Sequence, residues 1–241
     1  MLGPYLACTM IIGARGPNGV GGRFQSGRPS RNTWGARGYQ MRDKYCTFAD
    51  LADHELEGKD FRIACRLRKS PYAIVAPHGG SIEPGTSQIA NAVAGANLSF
   101  YAFEGLKPSD NGVLHITSTR FDEPRCLALI AEARTVITIH GRDGADQIVF
   151  LGGLDTALAR RIEAALDAAG FTVRRDDDLD LQGTSRENLC NRGISGVGVQ
   201  LEISNGLRRT LFRSLRVRGR GFFTHRFPIF TGALRGALLH G

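Results

Sequence analysis

The chain has 241 residues and a formal net charge of +8, and 42% of its residues are hydrophobic. This composition suits one globular domain with a sizeable core, and the absence of any apolar run of about eighteen residues argues against a membrane-spanning helix. Five scattered cysteines without a CxxC pair argue against a disulfide framework and against a cysteine-based zinc site.

The excess positive charge lies at the two ends of the chain. The first 42 residues contain six arginines and no acid, and the last 34 contain eight arginines and no acid. Residues 13–42 are rich in Gly, Arg and Ser without apolar periodicity, so we predict a flexible leader over 1–42. We place the folded domain at 43–215 and an Arg-rich extension at 216–241. The N-terminus has no basic residue ahead of its apolar stretch, so we predict cytoplasmic synthesis without a signal peptide.

From residue 43 onward, patterns typical of helices and strands alternate along the chain. Helical spacing predicts helices over residues 48–56, 86–96, 123–133 and 155–169. Short apolar or β-branched runs predict strands over residues 73–76, 99–103, 113–116, 135–140, 147–151, 171–174 and 197–203. This alternation indicates a three-layer α/β/α fold with a mostly parallel (mixed) central sheet.

Polar residues stand at or near the ends of three of the predicted strands. His78 follows AIVAP, His140 ends TVITIH, and Glu202 lies inside VQLEI. Ligands of such sheets bind at the carboxyl ends of the strands. The glycine-rich loop PHGGSIEPGT also places Glu83 five residues after His78, and glycine lets such a loop fold tightly.

Imidazole nitrogens and carboxylate oxygens are zinc ligands, and a catalytic zinc commonly has three protein ligands and an open position. The pattern therefore predicts one zinc ion per chain, held by His78, Glu83 and His140. Taken alone, each histidine is also compatible with an ordinary hydrogen-bonded core residue. We assign His54 and His115 to the surface or to a helix face, and His225 and His240 to the basic tail.

Glu202 is the predicted catalytic residue. A carboxylate in an apolar strand is costly unless it has a partner or a function. Beside a zinc site it would act as a general base toward water and then pass the proton to the leaving nitrogen of an amide. The alternative is a buried glutamate that forms an ion pair with Arg192 or Arg208.

Three segments, PHGGSIEPGTSQIANAVAG, TVITIHG and NLCNRGISGVGVQLEISNGLRRTLF, together resemble the phage-type poly-γ-glutamate hydrolase family over about residues 43–215. Members of that family are zinc enzymes with a fold related to the zinc carboxypeptidases, and they cleave γ-linked amide bonds in poly-γ-glutamate. The resemblance implies zinc at His78, Glu83 and His140 and catalysis by Glu202. It also implies an anionic polypeptide substrate and release of the enzyme by lysis.

Such a polymer carries a carboxylate on every residue, so guanidinium groups are expected along its path. The candidates for substrate binding are Arg142, Arg192 and Arg208. We expect a monomer without a membrane partner.

Three alternatives stay open. The first is a zinc amidohydrolase with another peptide substrate. The second is a nucleic-acid-binding protein that uses the Arg-rich ends, although the chain has no known nucleic-acid-binding motif. The third is a zinc site kept only for binding, and the presence of both the ligands and Glu202 argues against it.

Overall fold

The computed structural model describes residues 43–176, 181–216 and 221–239, so the predicted leader lies outside the described residues. The strands are β1 (Phe61–Arg66), β2 (Tyr72–Gly80), β3 (Ser99–Gly105), β4 (Thr135–Arg142), β5 (Ile148–Gly152), β6 (Thr172–Arg175) and β7 (Val199–Ser204). The helices are α1 (Phe48–Ala52), α2 (Thr86–Ala94), α3 (Pro124–Ala131), α4 (Thr156–Ala168), α5 (Asn205–Leu211) and α6 (Arg226–Leu239). Across these described ranges, no helix combines the length and the apolar character needed to cross a bilayer.

The strands form one mixed sheet in the order β1-β3-β2-β4-β7-β5-β6. β2 pairs in parallel with β3 and β4, β4 with β7, and β5 with β6. Only the β1–β3 and β5–β7 pairs of this sheet are antiparallel. The predicted mostly parallel (mixed) sheet is therefore confirmed.

Alternate residues of β2 face the two layers that cover the sheet. Ile74 and Ala76 belong to the cluster that packs with α2, α4, α5 and α6. Ala73 and Val75 belong to the opposite cluster, which includes side chains of α1 and α3. Burial on both faces explains why AIVA is a continuous apolar run, and it confirms the three-layer α/β/α arrangement.

Several parts of the described fold differ from the elements predicted from the sequence, among them α5 and α6, which no sequence pattern predicted. Residues 113–116 were predicted as a strand, but Asn111–Leu114 is a 3-10 helix, whose buried Leu114 accounts for the apolar signal. The prediction also missed β1, an edge strand in which charged and apolar residues are mixed.

The chain after residue 215 contributes to the described core. α6 places four apolar side chains in the cluster shared with α2 and α4: Phe227, Phe230, Leu234 and Leu238. On the same helix, the Arg235 guanidinium donates hydrogen bonds to the carbonyls of Val93 and Ala94, at the end of α2. The described part of the predicted extension therefore packs against the domain.

Candidate metal centre

Three neighbouring parallel strands bring the predicted site residues to one edge of the sheet. β2, β4 and β7 are adjacent, and they carry His78, His140 and Glu202 near their carboxyl ends. His140 and Glu202 are direct partners in the β4–β7 register. All three are buried, with exposed fractions of 1%, 3% and 8%. The topology therefore creates the juxtaposition that the strand-end pattern predicts.

The loop after β2 turns back so that Glu83 faces His78. The Glu83 amide donates to the carbonyl of His78 at 2.9 Å, and Gly80 has a φ of +64°. A β-carbon at position 80 would lie 2.5 Å from the Gly105 carbonyl oxygen, so only glycine suits this turn. Glu83 Oε2 accepts a hydrogen bond from the Gly141 amide at 2.8 Å, which ties the loop to β4.

The hydrogen bonds of His78 determine which nitrogen faces the centre. Its Nε2 lies 2.8 Å from the Ile116 carbonyl oxygen, and because a carbonyl only accepts, Nε2 carries the hydrogen. Nδ1 lies 3.1 Å from Glu83 Oε1 and 3.2 Å from Nδ1 of His140. Three atoms with lone pairs thus converge, and such a cluster is stable only around a shared proton or a metal cation.

The separations between these donor atoms fit a small metal ion. His140 Nδ1 lies 3.8 Å from Glu83 Oε2, so the separations range from 3.1 to 3.8 Å. Tetrahedral zinc with bonds of about 2.0–2.2 Å places its ligands about 3.3–3.6 Å apart. His140 Nε2 lies 3.3 Å from the Ser118 hydroxyl, which leaves Nδ1 free to act as the ligand atom. The donor set and its spacing therefore suit zinc.

His115 also belongs to this centre, so its assignment to the surface or a helix face was wrong. Its ring centroid lies 4.0 Å from that of His78, and its Nδ1 lies 2.7 Å from Oδ1 of the buried Asp43 carboxylate. Ligand atoms of His78, Glu83 and His115 all lie within 4.8 Å of one another. His115 Nδ1 is already bonded to Asp43, whereas His140 Nδ1 lies 3.2 Å from His78 Nδ1 and faces the Glu83 carboxylate, so His140 remains the expected third ligand and His115 its neighbour.

No local pattern indicated this role of His115, because its carboxylate partner lies 72 residues earlier in the chain. Asp43 also accepts hydrogen bonds from the Thr117 amide and the Arg120 guanidinium. It therefore fixes the segment that carries His115 next to His78.

Burial and neighbouring charges shift the pKa values of the centre in different directions. Burial lowers the pKa of His140 to about 3, so its imidazole is neutral and available as a ligand at neutral pH. Burial would raise the pKa of Glu83, but the adjacent His78 lowers it, so the carboxyl is ionised. Burial raises the pKa of Glu202 well above its usual value, and the nearby Glu83 raises it further.

Glu202 is held by a chain of amide side chains. Gln200 Nε2 donates to Glu202 Oε1 at 3.1 Å and to the Leu181 carbonyl at 3.1 Å. Asn188 Nδ2 donates to Gln200 Oε1 at 2.9 Å, which fixes the orientation of the Gln200 amide. Among the described residues, no Arg or Lys lies within 4.0 Å of the Glu202 carboxylate as an ion-pair partner. The described residues thus show no direct ion pair between Glu202 and Arg192 or Arg208, although Arg142 and Arg208 act on Glu202 from a greater distance and lower its pKa.

The three arginines predicted to bind substrate lie in different surroundings. Arg142 forms an ion pair with Asp176, and its guanidinium lies 4.2 Å from the centroid of the Phe150 ring. Arg192 donates to the carbonyl of Phe121.

Arg208 is only 3% exposed, and its guanidinium donates to three backbone carbonyls, those of Pro84, Arg142 and Ile203. It packs over Gly141, where a β-carbon would lie 2.7 Å from its Cζ. These contacts hold the Glu83 loop against β4 and β7.

Comparison with known proteins gives consistent matches over the described domain. A family profile described as poly-gamma-glutamate hydrolase matches residues 45–233. The UPF0714 protein YndL of Bacillus subtilis (strain 168) is 38% identical over 191 residues, which cover 78% of this chain and 75% of that protein.

Two solved structures are similar over most of the chain. The structure of bacteriophage poly-gamma-glutamate hydrolase has a TM-score of 0.79 and 32% identity, and the match covers 81% of this chain and 96% of that one. YndL in its zinc-free form has a TM-score of 0.77 and 36% identity, with coverage of 82% and 98%.

Proposed function

The chain belongs to the poly-gamma-glutamate hydrolase family, and we propose that it is a zinc-dependent enzyme that cleaves γ-glutamyl amide bonds in an anionic polypeptide. The observation that carries this proposal is the convergence of His78, Glu83 and His140 donor atoms beside the buried Glu202, whose pKa is raised. The description of one relative as zinc-free YndL supports the choice of metal.

In this proposal, Nδ1 of His78, Nδ1 of His140 and the Glu83 carboxylate hold the zinc ion. Zinc in such a site polarises an amide carbonyl and lowers the pKa of water to about 7. The hydrogen bonds from His78 Nε2 to Ile116 and from the Gly141 amide to Glu83 orient the ligands.

Glu202 transfers the proton. Its raised pKa makes the ionised carboxylate a stronger base than an ordinary glutamate, so it accepts a proton from the attacking water. The same property lets the protonated form deliver that proton to the nitrogen of the broken amide bond. Gln200 keeps the Glu202 carboxylate in one orientation through these steps.

The experiment that tests this function combines metal analysis with hydrolysis. We expect about one zinc per chain and EDTA-sensitive shortening of poly-γ-glutamate, restored by added zinc. His54→Ala is a matched control, because His54 is exposed and pairs with Asp50, and it should retain both zinc and activity. Protein that contains no zinc and cleaves the polymer equally well in EDTA would contradict the proposal.

Another peptide substrate is tested in the same assay. Poly-α-glutamate carries the same charge per residue but has α-linked amide bonds. We expect cleavage of the γ-linked polymer only. Cleavage of the α-linked polymer alone would assign the zinc centre to a different amidohydrolase.

A further inference from the structure

We propose that an arginine-lined cavity beside α5 is a second binding site for the carboxylates of an anionic polypeptide, away from the bond that is cleaved. The cavity has a volume of about 470 Å³, which is large enough for several atoms of a polymer chain. This inference rests on the proposed function, because it assigns the cavity to the same substrate. None of the arginines in it belongs to the group predicted from the sequence to bind substrate.

Three arginines line this cavity, Arg209, Arg213 and Arg216. Asn205 and Ser214 add polar side chains that can donate hydrogen bonds. None of the described lining residues is acidic, and the sequence contains no Asp or Glu after Glu202. The local charge of the cavity is therefore strongly positive.

Some arginines elsewhere in the described residues have carboxylate partners. Arg62 pairs with Glu104, Arg125 with Glu57 and Arg142 with Asp176. In the described part of the chain, no carboxylate lies within 4.0 Å of the three cavity arginines. Grouped cations without anions repel one another, so their arrangement favours binding of an external anion.

The side chains that line the cavity indicate which chemical groups its ligand carries. A guanidinium binds a carboxylate through two parallel hydrogen bonds, and three of them suit an anion that carries several carboxylates. The half-buried Leu215 contributes an apolar side chain, against which the methylene groups of a glutamyl side chain can pack. A polymer of γ-linked glutamate presents both features, since carboxylates and methylene groups alternate along it.

The wall of the cavity is continuous with the segment that carries Glu83. A β-carbon at Gly85 would lie 2.8 Å from Cε2 of Phe212 and 3.3 Å from Cδ2 of Leu215, so these side chains press directly on the turn two residues after Glu83. In addition, α5 begins immediately after β7, the strand of Glu202. A long chain bound at the metal centre can therefore extend toward the cavity.

Binding at two places on one polymer should make affinity depend on chain length. Once one segment is held at the metal centre, the second contact becomes intramolecular and strengthens binding without new contacts at the cleaved bond. The cavity should therefore increase the affinity for long polymers more than for short oligomers.

The test compares two triple variants with the same change of net charge. The first, Arg209→Gln with Arg213→Gln and Arg216→Gln, removes the charge of the cavity. The control, Arg160→Gln with Arg174→Gln and Arg175→Gln, removes three exposed charges on α4 and β6. Binding of fluorescent poly-γ-glutamate and of a labelled γ-glutamyl trimer is measured by anisotropy, alongside KM and kcat on both substrates.

We expect the cavity variant to bind the long polymer about tenfold more weakly and the control variant to stay within about twofold of wild type. The KM difference between trimer and long polymer should shrink in the cavity variant. If the triple variant does not fold, Arg213→Gln alone should give a reduction of about threefold, since Arg213 is exposed.

Other results would overturn the inference. Equal weakening in both triple variants would mean that net charge, and not the cavity, attracts the polymer. Loss of affinity for a single-stranded oligonucleotide in the cavity variant, with polyglutamate binding unchanged, would assign the cavity to nucleic acid.

The outcomes also separate this inference from the proposed function. A wild-type protein that cleaves poly-γ-glutamate with zinc, together with a cavity variant of unchanged affinity, refutes only the cavity. A wild-type protein that binds the polymer through the cavity but cleaves no bond refutes only the proposed activity.

Discussion

Two buried carboxylates in this protein have opposite electrostatic surroundings. Glu55 is 5% exposed, and it accepts hydrogen bonds from Lys107 Nζ at 2.6 Å and from the Tyr45 hydroxyl at 2.7 Å. Burial alone would raise the pKa of Glu55, but Lys107 and Tyr45 more than offset this effect and lower it. Glu55 is therefore ionised, and its charge is compensated within the protein.

Glu202 is buried to a similar degree but has no direct ion-pair partner among the described residues, and the more distant Arg142 and Arg208 do not offset the effects that raise its pKa. Its described side-chain hydrogen bond comes from the neutral amide of Gln200, and its pKa is raised by burial and by Glu83. Buried carboxyl groups with a raised pKa are common at sites where the group accepts and donates a proton during a reaction. We therefore interpret Glu55 as a structural carboxylate and Glu202 as a reactive one, and the following substitutions test this interpretation.

The largest effect is expected for His140→Ala, which removes one zinc ligand beside Glu202. We expect zinc content to fall well below one per chain and hydrolysis to fall to the detection limit, because Glu202 cannot act without the metal. Far-ultraviolet circular dichroism should be preserved, since His140 lies at the end of its strand. A variant that is free of zinc and fully active would mean that the site does not depend on a metal.

Glu202→Gln should separate catalysis from metal binding. The amide keeps the size of the side chain but cannot accept the proton, so we expect normal zinc content and a decrease in kcat of about 10²–10⁴-fold. Wild-type hydrolysis by this variant would require another general base.

The same substitution should stabilise the metal-free protein at neutral pH. Because the pKa of Glu202 is raised in the folded state, this carboxyl contributes stability below its unfolded pKa and loses it as the pH rises. Glutamine removes that loss, and denaturant unfolding above about pH 5 should show the variant to be more stable than wild type. A destabilised variant would indicate that Arg142 and Arg208 outweigh the effect of burial on Glu202.

Gln200→Leu tests whether the amide chain positions Glu202. Loss of its hydrogen bond should lower kcat by about tenfold and change KM little, because the substrate does not need to contact Gln200. Asn188→Leu acts through the same amide, so the double variant should lose scarcely more activity than the single ones. Fully additive losses would show that the two residues act separately.

The placement of the candidate centre was predictable because it depends on local patterns. Apolar runs that end in a polar residue located His78 and His140, and parallel strands bring such ends to one edge. The mixed three-layer fold followed from the same alternation of strands and helices. The chemical roles of these residues stay predictions until zinc and activity are measured.

The parts that were missed depend on contacts between distant segments. His115 enters the centre through Asp43, far away in the sequence. The helix α6 was not predicted, because it contains Gly, Pro and Arg residues that are typical of loops. Its apolar residues are identified as core residues only by their packing on α2 and α4. No sequence pattern indicated the role of Gln200, because that role depends on its hydrogen bonds to Asn188 and Glu202.

The smallest effect is expected for Glu55→Gln, and its sign should be opposite to that of Glu202→Gln. The folded pKa of Glu55 is lowered, so its ionised form contributes stability above the unfolded pKa, and this contribution is lost as the pH falls through the folded value. We expect Glu55→Gln to lower the free energy of unfolding by about 1–2 kcal/mol at pH 7, with the difference disappearing as the pH falls below the ordinary pKa of a glutamate. Urea unfolding across this range measures it, and Lys107→Met should reproduce the loss because it removes the same ion pair. Equal signs for the two glutamine substitutions at pH 7 would show that burial, rather than the presence or absence of a direct ion-pair partner, determines the behaviour of both carboxylates.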